Sequence, residues 1–105
     1  MDIRLGFARG LRLARKARRL SQENLGVSGR TYVSALERGI KSPTLVKIDA
    51  LARAMNVHPL TLIAIGYLST LRHQDLDLLL KRVAREGEAL LNEPDAHRPR
   101  KARTR

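Results

Sequence analysis

The chain contains no cysteine. That removes disulfides, thiolate metal sites and cysteine nucleophiles together, and with them the small secreted fold stapled by disulfides. Aromatic residues are nearly absent too: Phe7, Tyr32 and Tyr67 are the whole set. A core for these 105 residues must come from Leu, Ile, Val, Ala and Met, which suit helix-on-helix packing better than a sheet. No apolar run approaches the roughly 18 residues that a membrane span needs. The start lacks a signal-peptide core, because Arg4, Arg9, Arg12 and Arg15 interrupt it. Its arginine-rich, acid-poor character also fits a transit peptide. The segment runs into the apolar pattern without a linker, however, so the cytoplasm is the expected compartment and no membrane partner is expected.

Positive charge is what the chain has in excess. Lys and Arg number 21 against 10 acids, a net +11. Such a balance attracts polyanions, nucleic acid above all. The charge is uneven: residues 1–20 hold seven basic groups and one acid, residues 92–105 five and two, and residues 67–91 four of each. A segment without net charge suits contact with protein rather than with nucleic acid. At 43% hydrophobic residues the chain is not a disordered polyelectrolyte, and its length suits one domain.

Periodicity predicts only helices. Over 2–19, Ile3, Phe7, Leu11 and Ala14 share one face, with arginines elsewhere; Gly6 and Gly10 each weaken such a helix by about 1 kcal/mol, so its first turns are expected to fray. Ser21 caps a short second helix through Leu25. Ser28 caps a third, from about Arg30 to Arg38, with Val33 and Leu36 inward and Gly39 at its end. Ser42-Pro43 reads as the start of a fourth, whose buried stripe is Leu45, Ile48, Leu51, Ala52 and Met55, with Asn56 as its stop. His58-Pro59 opens a fifth through Leu62, Ile63 and Gly66. The longest pattern runs from Leu68 to Leu91, where Leu76, Leu79, Val83 and Leu90 keep a 3-4 spacing widened by Leu80. Asp77 and Lys81 support it as an i, i+4 pair. The basic tail from Asn92 has no apolar period and reads as disordered.

The combination Arg15-Lys16, then Leu20-Ser21-Gln22-Glu23-Asn24-Leu25, then Arg30-Thr31-Tyr32-Val33-Ser34-Ala35-Leu36-Glu37-Arg38-Gly39, then Ser42-Pro43-Thr44-Leu45 resembles the phage repressor/Cro-type (xenobiotic-response-element) helix-turn-helix family. Within it the chain looks closest to the controller proteins of restriction-modification systems. The resemblance covers about residues 7–65. It implies an all-α, five-helix repressor-like domain over 1–66, an additional C-terminal helix over 67–91 that serves dimerisation, and the tail over 92–105. The spacing from Gln22 to Val33 is about three residues shorter than the family pattern. Either the second helix is clipped or the turn around Val27-Ser28-Gly29 is rebuilt, and the angle at which the third helix enters the groove depends on which.

The major groove admits a helix and shows a distinct donor and acceptor pattern for each base pair. A reading helix over about 29–38 would place Arg30, Thr31 and Ser34 against bases. Arg30 can fork onto guanine O6 and N7 or hold a phosphate. Thr31 and Ser34 can hydrogen-bond or touch a thymine methyl, or remain a solvated face. Ala35 would meet only methyl groups or backbone. By resemblance, Gln22 at the start of the second helix binds phosphate. Ser28, Tyr32, Arg38, Lys41 and Ser42 join it on the DNA backbone, where contacts position without specifying sequence. Tyr32 has two uses, its ring on the turn or its hydroxyl on phosphate. Arg15 and Glu37 fall where the family often has an ion pair joining the first and third helices. The remaining basic residues of the first helix, from Arg4 to Arg19, would supply general attraction to DNA.

The expected assembly is a homodimer on a pseudo-palindromic operator, with Leu76, Leu79, Leu80, Val83 and Leu90 at the interface. The expected role is transcription regulation, as a repressor. No nucleophile, carboxylate pair or glycine-rich phosphate loop suggests an enzyme. His58, His73 and His97 have no metal-ligand spacing, so neither metal nor cofactor is expected. Two rivals remain: an antitoxin-type protein-interaction module that also binds DNA, and a non-specific nucleoid or RNA-binding protein.

Overall fold

The computed structural model describes residues 2–26 and 29–97. In chain order it holds α1 (Ile3–Ala17), a 3-10 turn η1 (Gln22–Leu25), α2 (Arg30–Glu37), α3 (Leu45–Ala54), α4 (Pro59–Gly66), α5 (His73–Leu91) and a second 3-10 turn η2 (Pro94–His97). The described residues include no strand. The architecture is all-α, with five helices of which the last is the longest. Among the described residues no helix is long and apolar enough to cross a membrane.

Local chemistry explains most helix ends. Asp2 caps α1 by accepting from the Arg4 amide at 2.8 Å. Nδ1 of His58 accepts from the Leu60 amide at 3.0 Å, with Pro59 at the first helical position of α4. At α3 the sequence expectation was off by two residues. Thr44, not Ser42, is the cap, accepting from the Lys47 amide at 3.2 Å, and the helix starts at Leu45. The proline therefore precedes the cap, and Leu45 lies outside the buried stripe at 76% exposure. Three helices stop in the same way. Arg19, Gly39 and Asn56 adopt left-handed φ of 57°, 71° and 55°. The next amides then reach back to Arg15, Ala35 and Ala52 carbonyls at 3.0–3.1 Å, closing the orphan acceptors of α1, α2 and α3.

The core is aliphatic, as composition required. Leu11, Leu25, Val33, Leu36, Leu51, Met55 and Leu62 are fully buried, with Phe7 beside them. Each such Leu contributes about 1.5–3 kcal/mol. Gly6 does not mark a frayed start. It sits where α1 crosses α4, and a Cβ there would lie 2.1 Å from the Gly66 carbonyl oxygen. The expected weakness is a contact surface: backbone meets backbone because both residues lack side chains.

Two arginines expected to attract DNA do structural work instead. Arg9 donates to the carbonyls of Ile65 and Leu68 at the end of α4. Arg18 donates to Met55 and Asn56 carbonyls at 2.9 and 3.3 Å, at the end of α3. Both cap helix C-termini, where cations are favoured.

α5 starts five residues later than the apolar pattern suggested. Leu68 closes the domain as a buried residue, and Thr70, Arg72 and Asp75 bond together over the first turn. No residue of α5 is buried. Leu76 and Leu80 line a groove of about 280 Å³ with Leu60, Ala64 and Ile65 of α4. From Val83 onward the helix leaves its apolar residues exposed. The expected tail begins with the η2 turn; from residue 98 it lies outside the described residues.

Candidate nucleic-acid interface

The site is built on α2, because the core claims only one side of it. Val33, Ala35 and Leu36 are buried, which fixes the helix against α1 and η1. Ala35 is thus a core residue at 6% exposure, not a groove contact. Arg30 and Thr31 project into solvent at the first turn, and Ser34 is half-buried on the same helix. The Arg30 side chain is 70% exposed.

At the C-terminal end of α2 lies a half-buried charge cluster. Arg15 holds Glu37 through two bonds, Nε to Oε2 at 2.5 Å and Nη2 to Oε1 at 2.9 Å, and its Nη1 donates to the Leu20 carbonyl at 2.9 Å. The Glu37 side chain is 5% exposed. Burial pushes its carboxyl up, but hydrogen bonds from Arg15 and Gln22, with the charges of Arg15 and Arg12, hold it below its ordinary value. The bond to Glu37 raises Arg15 correspondingly. The pair ties the last turn of α2 to α1 and so sets the pitch of the exposed face. Gln22 belongs to this cluster: its amide donates to Glu37 Oε1 at 3.1 Å, and the residue is half-buried. A phosphate at Gln22 would share that amide with Glu37.

Around the C-terminal end of α2 the basic residues gather. Tyr32 packs its ring against the core. Lys41 and Lys47 place their ammonium groups 5.7 and 5.5 Å from its centroid, within cation–π range. Arg38 is exposed and leans on the Ser34 carbonyl at 3.3 Å, while Lys41 and Ser42 are exposed on the following loop. Ser28 lies outside the described residues. Lys47 was not singled out in the sequence because it sits on the fourth helix. The signal that could have found it is its place three residues after the Thr44 cap.

The second helix is short, and residues 27 and 28 of the turn after it lie outside the described residues. Where the pattern suggested a helix, the chain makes one four-residue 3-10 turn, ended by Gly26 at φ 68°. The turn still buries Leu25 and brings Glu23 to 3.8 Å from Arg30. The residues expected at a dimer contact lie apart from this surface, on α5: Leu76 and Leu79 are half-buried, and Leu80, Val83 and Leu90 are exposed.

The chain matches no curated protein and no solved structure. Residues 11–62, just under half of the chain, run from α1 through η1, α2 and α3 into α4 and match the model of the Helix-turn-helix family.

Proposed function

We propose that this protein is a sequence-specific regulator of transcription that binds double-stranded DNA, with α2 in the major groove and Arg30, Thr31 and Ser34 toward the bases. One observation carries the reading. The N-terminal turn of α2 presents Arg30 and Thr31 to solvent, while the other end of the helix is anchored by the buried Arg15–Glu37 pair. Such a rigid, polar-tipped helix is what groove entry requires. Tyr32, Arg38, Lys41 and Ser42 flank it and would grip phosphate, a contact that orients the domain without reading sequence.

In this reading the chain divides into a DNA-binding domain (1–66), a coupling helix (67–91) and a basic tail (92–105). One reading helix spans too few base pairs for a unique site, so two copies would bind a pseudo-palindromic operator. The unburied stripe of Leu76, Leu79, Leu80, Val83 and Leu90 is the surface that would join them, and occupancy near a promoter would repress. The same exposed stripe favours one rival, an antitoxin-type module whose α5 meets a different protein. A heterologous partner co-purifying in fixed proportion would favour that rival.

The test is binding-site selection from random duplexes at near-physiological salt. The wild type is expected to return a two-fold symmetric motif. Arg30→Ala is expected to lose base preference at one position per half-site, and Lys41→Ala to weaken all duplexes alike. An Arg30→Ala motif identical to that of the wild type would remove Arg30 from the reading set.

A further inference from the structure

We propose that Glu23 is a specificity-determining positioning residue, an acidic neighbour that keeps Arg30 for base edges and away from phosphate. The inference rests on the base-reading role given to Arg30 above.

The clipped second helix creates the arrangement. In η1 Glu23 lies 3.8 Å from the Arg30 guanidinium, and both side chains are open to solvent, at 66% and 70%. An exposed pair of this kind adds little to stability, so its consequence lies in where it puts negative charge. The other carboxylates of the domain are committed elsewhere: Glu37 to Arg15, Asp49 to Arg53 and Asp2 to Arg4. Glu23 stands at the reading tip.

The distance matters. At 3.8 Å the contact is electrostatic and too long for a hydrogen bond. The guanidinium's fork of donors is therefore not committed to the carboxylate and can turn onto guanine O6 and N7. A phosphate oxygen bonded to Nη1 of Arg30, the atom nearest Glu23, would come within about 7 Å of the carboxylate, inside the screening length of about 8–10 Å. Phosphate carries a full charge there and is repelled. Guanine offers neutral acceptors and is not. Glu23 thus disfavours the phosphate-bound state of Arg30 more than the base-bound state, which is discrimination by a repulsive element.

The experiment uses the full chain and measures affinity for the selected operator and for a scrambled duplex across a salt series. Glu23→Gln is expected to tighten scrambled-duplex binding by about two- to fivefold, the span of an exposed ion pair. It is expected to lower the operator-to-scrambled ratio by a similar factor and to steepen the scrambled-duplex salt slope by about 0.9. Glu23→Asp should keep most of the ratio. In an Arg30→Ala background, Glu23→Gln should no longer change the ratio, because the effect runs through Arg30.

A ratio that Glu23→Gln leaves unchanged would overturn the inference. So would an equal fall with and without Arg30, or a switched base preference that marks Glu23 as a direct reader. A wild-type ratio near one would defeat the base-reading assignment itself and this inference with it; an unchanged ratio far above one would defeat this inference alone.

Discussion

α1 and α5 are the two long helices of the chain, with 15 and 19 residues, and both are amphipathic. They end in opposite surroundings. α1 buries Gly6, Phe7, Ala8, Gly10 and Leu11 against the domain, and its Arg9 and the Arg18 that follows its last turn cap other helices. α5 buries nothing. An apolar stripe states that a helix needs a partner, but only the fold says whether that partner lies in the same chain. For α1 it does. For α5 the stripe beyond the α4 groove is left over, which is the observation behind the proposed second copy.

Glycine substitutions sharpen the contrast most strongly. Gly6→Ala drives a Cβ into the Gly66 carbonyl, so urea titration should show a loss of about 3 kcal/mol, the upper range of overpacking. Charged residues on the other helix come next. Leu79→Glu with Val83→Glu should leave the domain folded by circular dichroism yet weaken self-association by about a hundredfold in sedimentation, at a little over about 1 kcal/mol for each substituted anchor. A dimer that persisted with both substitutions would end the assignment of α5.

Arg15→Ala tests the anchor between α1 and α2. It strands Glu37 in a buried place and should lower stability by about 2 kcal/mol, below the usual range for a broken buried pair because Gln22 still donates. The sign with pH follows from Glu37. Its folded carboxyl titrates below its ordinary value of 4.5, so its contribution is complete above that value and is lost as pH falls through the depressed one. Denaturant midpoints of the wild type should therefore drop on acidification below the carboxylate range, and Arg15→Ala should flatten that drop. The smallest effect is on α5. Gly87 has open space around its missing Cβ, and Gly87→Ala should stabilise the helix by up to about 1 kcal/mol, read as added helicity. Gly6 and Gly87, the same residue type on two similar helices, should thus respond with opposite sign.

The fold was largely legible because its signals are local. Proline at the start of α4, Gly39 and Asn56 at helix ends, and the aliphatic period each act within a few residues of themselves. What stayed hidden depends on distant partners. Gly6 reads as a weak point until Gly66 is placed against it. Arg9 and Arg18 read as surface charge until the carbonyls ending α4 and α3 arrive beside them. Ala35 reads as part of an exposed face until its burial is known. At the site, the exposed positions of Arg30 and Thr31 followed from the inward facing of Val33 and Leu36. The Glu23–Arg30 proximity did not follow, because it depends on η1 closing as a single 3-10 turn.

The most direct measurement is the affinity of the wild-type chain for its selected duplex against a scrambled duplex of equal length, at near-physiological salt. A reading helix predicts a preference of at least about a thousandfold, on top of scrambled-duplex binding that weakens steeply with salt. Equal affinity for the two duplexes would leave only the charge at work and would contradict the account.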